Sequence, residues 1–363
     1  MTKQQIISFP HMGDYHIPIG GFFQRVFPDA EIRSAPPITA KTAALGERHS
    51  PDFICAPFKF NMGNFIETLD EGATILLQTG TGCRYGYYGE LQEQILRDLG
   101  YDPTFLCLSR GHVRPDRVYH SLRNLGSPRS LPQMAHALWI TFEQIRAMDK
   151  IAGFIRQHAP FARNPQAMRD IYAAFLKTLP HADSIPKVHT LKRQAIRHLH
   201  QIPLDIPKNP LRVGIVGDLY TVMEPFGNAD IERKLAAQGI QVSRAMSVTF
   251  LLTPHTTKRA LRQARGYVKH HIGANGVDSV AQSLTYAKAG YDGILHLKSF
   301  GCTPELNAAP AMQNISRDYE IPILSMSFDT HHGDVGVNTR LEAFIDMIAM
   351  KRRRRNANIQ LGD

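Results

Sequence analysis

Twice along this chain, short apolar runs alternate with segments of helical period, and that alternation commits each stretch to a parallel sheet covered by helices. In the first stretch IISFP (6–10) is an apolar run with a turn signal behind it, and PDFICAP (51–57) reads as a strand ending at Cys55 and Pro57. FKFNMGNFIETLDEG then sets Phe60, Phe65, Ile66 and Leu69 at near-helical spacing, with Gly72 as a stop. The apolar run ATILLQTG is a strand, TGTGCRYGYYG a loop, and ELQEQILRDLGY a helix with Leu91, Ile95 and Leu99 on one face and Gly100 at its end. PTFLCLS returns as a strand. The second stretch opens at LRVGIVGDLY, continues through the helical ADIERKLAAQGI and the strand QVSRAM, and later gives the helix SVAQSLTYAKAGY, the strand DGILHLKSF and the loop GCTPE. IPILSMSFD and TRLEAFIDMIAMKR close it as strand and helix.

The expected class is α/β, with two Rossmann/flavodoxin-like parallel-sheet domains joined by a helical connecting region. A chain of 363 residues is too long for one small core. Residues 1–110 form the first α/β domain, carrying Cys55 and Cys83. Residues 111–208 are a mostly helical connecting region, basic and His-rich, closed by the proline-rich linker IPLDIPKNP (202–210). Residues 209–350 form the second α/β domain, carrying Cys302, and 351–363 a basic flexible tail. Similar size suggests an internally duplicated architecture. No apolar run approaches the roughly 20 residues that cross a bilayer, and the N-terminal segment lacks the apolar core and cleavage site of a signal peptide. The expectation is a cytoplasmic chain with no membrane partner. Part of the net charge of +10 is local to the run Lys351–Arg355, read as a solvated tail. No nucleic-acid module accompanies it, so nucleic-acid binding ranks as a remote alternative.

Four cysteines in a chain of this length do not make a disulfide framework. In open α/β sheets ligands collect beyond the carboxyl ends of the strands, and Cys55, Cys83 and Cys302 each fall at the end of an expected strand or in the loop after it. Each lies beside glycine or proline, in CAP, TGTGC and FGCTP, where backbone can approach a bulky inorganic group. Thiolates suit iron–sulfur clusters or zinc, and the tight CxxC pair usual in structural zinc sites is absent. Three dispersed thiolates fit a cluster held between two domains, leaving one iron of a [4Fe–4S] cube open to Lewis-acid or redox chemistry. Scattered cysteines are also commonly plain buried residues, and spacing alone does not choose. Cys107, inside FLCL, reads as a buried structural thiol.

The stretches CAPFKFNMGNFIETLDEGA, GCRYGYYGELQEQILRDLGY and DGILHLKSFGCTPELNAAP resemble matching parts of the 2-hydroxyacyl-CoA dehydratase superfamily. The likeness is to its stand-alone branch, called acyl-CoA dehydratase activase-related or CoA-protein activase. VGIVGDLYTVMEPFGNADIERKL, HIGANGVDSVAQSLTYAKAGYDG and DVGVNTRLEAFIDM extend it over both α/β stretches. The resemblance implies a [4Fe–4S]-type cluster on Cys55, Cys83 and Cys302. In that family's dehydratases the cluster receives one electron from a separate ATP-hydrolysing activase and passes it to a 2-hydroxyacyl-CoA thioester, whose ketyl radical expels hydroxide. The implied substrate class is acyl-CoA, and a homo- or heterodimer is expected because the true dehydratases are usually two-subunit enzymes. A double-cubane cluster ranks lower, since one subunit has few cysteines for it. A non-catalytic iron–sulfur carrier or activase accessory is the alternative. No GxxxxGK[ST] phosphate loop is present, so ATP hydrolysis is not assigned to this chain.

Lys59, in the CxPxK stretch, and Glu305, in GCTPE, are the candidate catalytic residues. Arg84 joins the cysteines as a candidate cofactor-binding residue, its charge stabilising a reduced cluster or an acidic ligand. Surface charge and helix capping are the plain alternatives. Tyr85, Tyr87 and Tyr88 read as an aromatic shield beside Cys83, and Glu90 as an acceptor or a first-turn carboxylate. Glu224 and Asn228 sit past the first strand of the second stretch, where Asn228 is also a candidate helix cap. In FDTHHGDVG, Thr330, His331 and His332 stand where the family pattern has an acidic residue after the position of Asp329, which weakens any acid–base role there.

Overall fold

In the computed structural model, which describes residues 5–111, 114–253, 256–331 and 333–360, the chain divides into two compact units. They are Met1–Ala152 with Ala167–Gln201, and Gly153–Gln166 with Ile202–Asp363. The expected middle body at 111–208 is thus shared between two units, and the division falls inside one continuous helix, Leu131–His158.

The first unit carries β1 (Ile6–Phe9), β2 (Glu31–Ser34), β3 (Ile75–Thr81) and β4 (Thr104–Gly111) in the order β2-β1-β3-β4, all parallel. The second carries β5 (Arg212–Gly217), β6 (Gln241–Arg244), β7 (Gly293–Ser299) and β8 (Ile323–Phe328) in the order β6-β5-β7-β8, again all parallel. Both are α/β units of the Rossmann/flavodoxin type with the same topology, each with its switch point between the first and third strands.

Side-chain alternation sorts the first sheet's two faces. Ile7, Phe9, Ile75 and Leu77 pack with Phe23, Val26 and Leu122 on one side. Leu76 packs with Phe58, Phe65, Tyr88 and Leu96 on the other, against helices Ala56–Asp70 and Tyr88–Asp98. In the second unit Ile294 and Val216 meet Val277, Val280, Leu284 and Met312 from helices Gly276–Lys288 and Thr303–Asp318.

Two sequence expectations change. PDFICAP is not a strand: residues 51–55 are irregular and Cys55 caps helix Ala56–Asp70. Pro57 fixes a backbone angle suited to a first helical turn, and the glycines make the helix bury deeply. A side chain at Gly63 would come within 2.0 Å of Thr42 O, and one at Gly46 within 1.7 Å of Lys59 O. Only glycine lets helices Ala40–Arg48 and Ala56–Asp70 cross that closely. Nor is 351 the start of a flexible tail, because helix Asp334–Gln360 runs through the basic run. Arg352 forms a bidentate pair with Asp292 at 2.6 Å, almost out of water. That buried anchor, which also accepts from Arg212 N at 2.8 Å, offsets the repulsion among its neighbours. Among the described residues, no helix is long and apolar enough to cross a membrane.

Candidate functional site

In a parallel sheet the helix that leads into a strand starts at the strands' carboxyl edge. Cys55 is the N-cap of helix Ala56–Asp70, which leads into β3, and Cys83 follows β3 as the N-cap of the 3-10 turn Arg84–Tyr87 that runs on into helix Tyr88–Asp98. Cys302 follows β7 as the N-cap of helix Thr303–Asp318. All three are half-buried thiols in extended backbone. At an N-cap, unsatisfied N–H groups and the helix dipole favour an anionic sulfur. Cys107 instead lies within β4, its Sγ 3.1 Å from Ser109 O.

The first unit brings Cys55 and Cys83 to one edge. Tyr88 Oη lies 2.6 Å from Cys55 Sγ, and Tyr85 N donates to Cys83 Sγ at 3.5 Å. Burial, and then the nearby Cys55 sulfur, push the Tyr88 phenol well above its ordinary proton affinity, so the hydroxyl keeps its proton. Burial raises Tyr85 too, against an opposing hydrogen bond from Asn61 Nδ2 at 2.8 Å. Tyr88, against Cys55, is 4% exposed, whereas Tyr87 is 73% exposed. Arg84 is exposed beside Cys83.

Lys59 sits one turn beyond Cys55, 4% exposed, with Nζ 2.8 Å from Glu47 Oε2. Its charge is directed at the neighbouring helix. Glu305 is 0% exposed. One carboxylate oxygen accepts from Ser279 Oγ at 3.0 Å, and the other lies 2.9 Å from His296 Nε2, whose Nδ1 is 3.0 Å from Ser325 Oγ. Both oxygens are engaged within the unit, an arrangement that braces the start of the Cys302 helix. Sequence spacing could not reveal this partner set, although a histidine inside the apolar run GILHLKS signals that a buried polar group awaits one.

The second unit's switch point is closed by Asp218. It accepts from Ser299 N at 2.6 Å and Thr221 N at 3.0 Å, tying the end of β5 to the end of β7, three residues ahead of Cys302. Gly217 precedes it with φ +147, where a side chain would meet Leu297 O at 1.7 Å. Burial, reinforced by Glu305, raises the Asp218 carboxyl above its ordinary range, and burial raises Asp278 to about 6. Neither aspartate was singled out from sequence. Glu224 Oε1 accepts from Phe226 N at 3.1 Å. Asn228 bonds Thr221 O at 2.7 Å and accepts from Ile231 N at 3.3 Å, the capping alternative. Thr330 N donates to Asp329 Oδ1 at 2.8 Å, and His331 is exposed. His332 lies outside the described residues.

The donor set suits an iron–sulfur group: soft sulfurs at helix N-termini, flanked by Gly82 (φ +72) and Gly301 (φ +73), which hold conformations costly to other residues. Among the described residues, no group of three or more His, Cys, Asp and Glu side chains is gathered as a metal-ion site. Two candidate thiols belong to the first unit and one to the second. No family model matches the chain, and no curated protein does.

Proposed function

We propose that this chain holds a [4Fe–4S] cluster through Cys55, Cys83 and Cys302 and takes part in low-potential one-electron reductions of acyl-CoA thioesters. Its electrons would come from a separate ATP-hydrolysing activase. The observation that carries this reading is placement. The three cysteines in the family-like motifs are all helix N-caps, two of them at the carboxyl edge of one sheet and the third just past the end of β7, while the fourth is inside a strand. When bound, such a group supplies one-electron transfer and, at an iron without a protein ligand, Lewis acidity.

The chain's own residues have distinct parts. Tyr88 donates to Cys55, Tyr85 and Tyr88 keep water from the two thiols, and Arg84 places a positive charge beside Cys83. Glu305 positions the Cys302 helix and is a positioning residue in this reading. Lys59 holds Glu47 and so the helix that presents Cys55. A cytoplasmic setting, which keeps thiols reduced, suits the assignment.

The test is iron and acid-labile sulfide per chain on protein purified without oxygen, beside a Cys55→Ala/Cys83→Ala/Cys302→Ala variant. The expected result is about four of each in the parent and none in the variant. No iron in either after reconstitution would sink the reading.

A further inference from the structure

A second feature of the first unit lies just inside its sheet edge. Ser8 on β1 and Gln78 on β3 are 0% and 3% exposed. Among the described residues, Ser8 Oγ and both amide atoms of Gln78 have no hydrogen-bond partner, nor does Asn61 Oδ1. An unmet buried polar atom forfeits its hydrogen bonds to water, and folded proteins keep few of them.

These atoms share one region. Ser8 pairs with Leu76, and Gln78, two residues on, pairs with Cys107, so by alternation all four side chains lie on the face covered by helix Ala56–Asp70. On that helix Asn64 accepts from His11 N just past β1 at 3.0 Å, and Asn61 Nδ2 donates at 2.8 Å to the hydroxyl of Tyr85, in the turn after β3. The asparagine face therefore covers the carboxyl ends of β1 and β3, the switch point where open sheets take ligands. A hollow of about 300 Å³ runs along β4, lined by residues of both its faces from Phe105 to Ser109 and by Arg114, Arg117 and Ser121, and includes Cys107, the residue paired with Gln78.

We infer that Ser8, Gln78 and Asn61 form a binding site for a small uncharged group that both donates and accepts hydrogen bonds, such as a primary amide or a hydroxyl beside a carbonyl. Gln78 Nε2 donates, Gln78 Oε1 and Asn61 Oδ1 accept, and Ser8 does either. A carboxylate or phosphate would face those two carbonyl oxygens, and the nearby cation Lys59 is turned to Glu47. The site does not depend on a cluster, and its test runs on the full chain without iron, so either assignment can fail alone.

The probe is acetamide, with acetate at equal ionic strength as control, titrated against chain carrying 15N-labelled glutamine and asparagine side chains. The Gln78 signal is identified by its loss in Gln78→Met. Acetamide should shift it saturably, with a Kd of about 1–100 mM for so small a ligand, and acetate should not. Ser8→Ala should weaken binding roughly threefold to tenfold while keeping the fold. Gln78→Met should raise Tm by about 2–4 °C, because unmet polar atoms are replaced by apolar ones of similar volume. No acetamide response in the parent overturns the inference. So does a fall in Tm for Gln78→Met with no acetamide response, the result expected of a patch that holds ordered water only.

Discussion

Cys83 and Cys302 occupy the same place in two sheets of the same strand order, each after the third strand, yet what stands behind them differs. Behind Cys302 the polar residue of the strand, His296, is held by Glu305 and Ser325. Behind Cys83 the matching residue of β3 is Gln78, paired with Cys107 as His296 is paired with Ser325, and its amide has no partner. Glu305 stands three residues after Cys302, whereas Gly86 stands three residues after Cys83. The second unit thus satisfies its buried polar step from within. The first has Gly86 at the matching position, where no carboxylate can do so, and its Gln78 amide stays without a partner among the described residues, opposite Cys107. A fully satisfied network rigidifies, and an unpaired buried polar group is costly. The helix leading into the third strand extends the contrast, since its N-cap is Cys55 in the first unit and Asn275 in the second.

The largest effect that can break this comparison is expected at Glu305. Glu305→Leu leaves His296 and Ser279 buried without their acceptor and should cost about 3–5 kcal/mol in urea unfolding; a loss below about 1 kcal/mol would mean the step is not held from within. Asp278 sharpens it next, because it is the second unit's own exception. It is 3% exposed, and its Oδ1 has no partner among the described residues. Its pKa is raised from 3.8 to about 6, with burial the main cause. The folded state therefore binds the proton more tightly, so stability falls as pH rises from about 4 to 6 and the penalty is complete above that. Asp278→Asn should gain about 1–3 kcal/mol at pH 7 and nothing below pH 4, read from unfolding curves across pH. A gain independent of pH would remove ionisation as the cause. The smallest effect is expected at Tyr88. Tyr88→Phe removes the hydroxyl from Cys55 and should cost about 0.5–1.5 kcal/mol, and an unchanged midpoint would show that the contact adds nothing to the folded state.

Much of the fold was legible because apolar period and glycine stops are local signals. The helix ending before Gly72 and the strands around ATILLQTG and DGILHLKSF follow from side chains a few residues apart. In sequence Cys55 reads as the end of a strand because the signals against it are tertiary, two glycine crossings between helices Ala40–Arg48 and Ala56–Asp70. The basic run at 351–355 looked like a tail for the same kind of reason, since the partner of Arg352 is Asp292, 60 residues away. The candidate thiols stood out by their neighbours, but nothing near Glu305 or Lys59 in sequence announces His296, Ser279 or Glu47.

The sequence by itself determined two α/β stretches and the position of three glycine- or proline-flanked cysteines in their loops. Both are written in short-range pattern, which fixes backbone conformation residue by residue. Only the tertiary structure decided which buried polar groups are met and which are left open, because a hydrogen bond needs a partner within about 3 Å, and the chain alone does not say who that partner is.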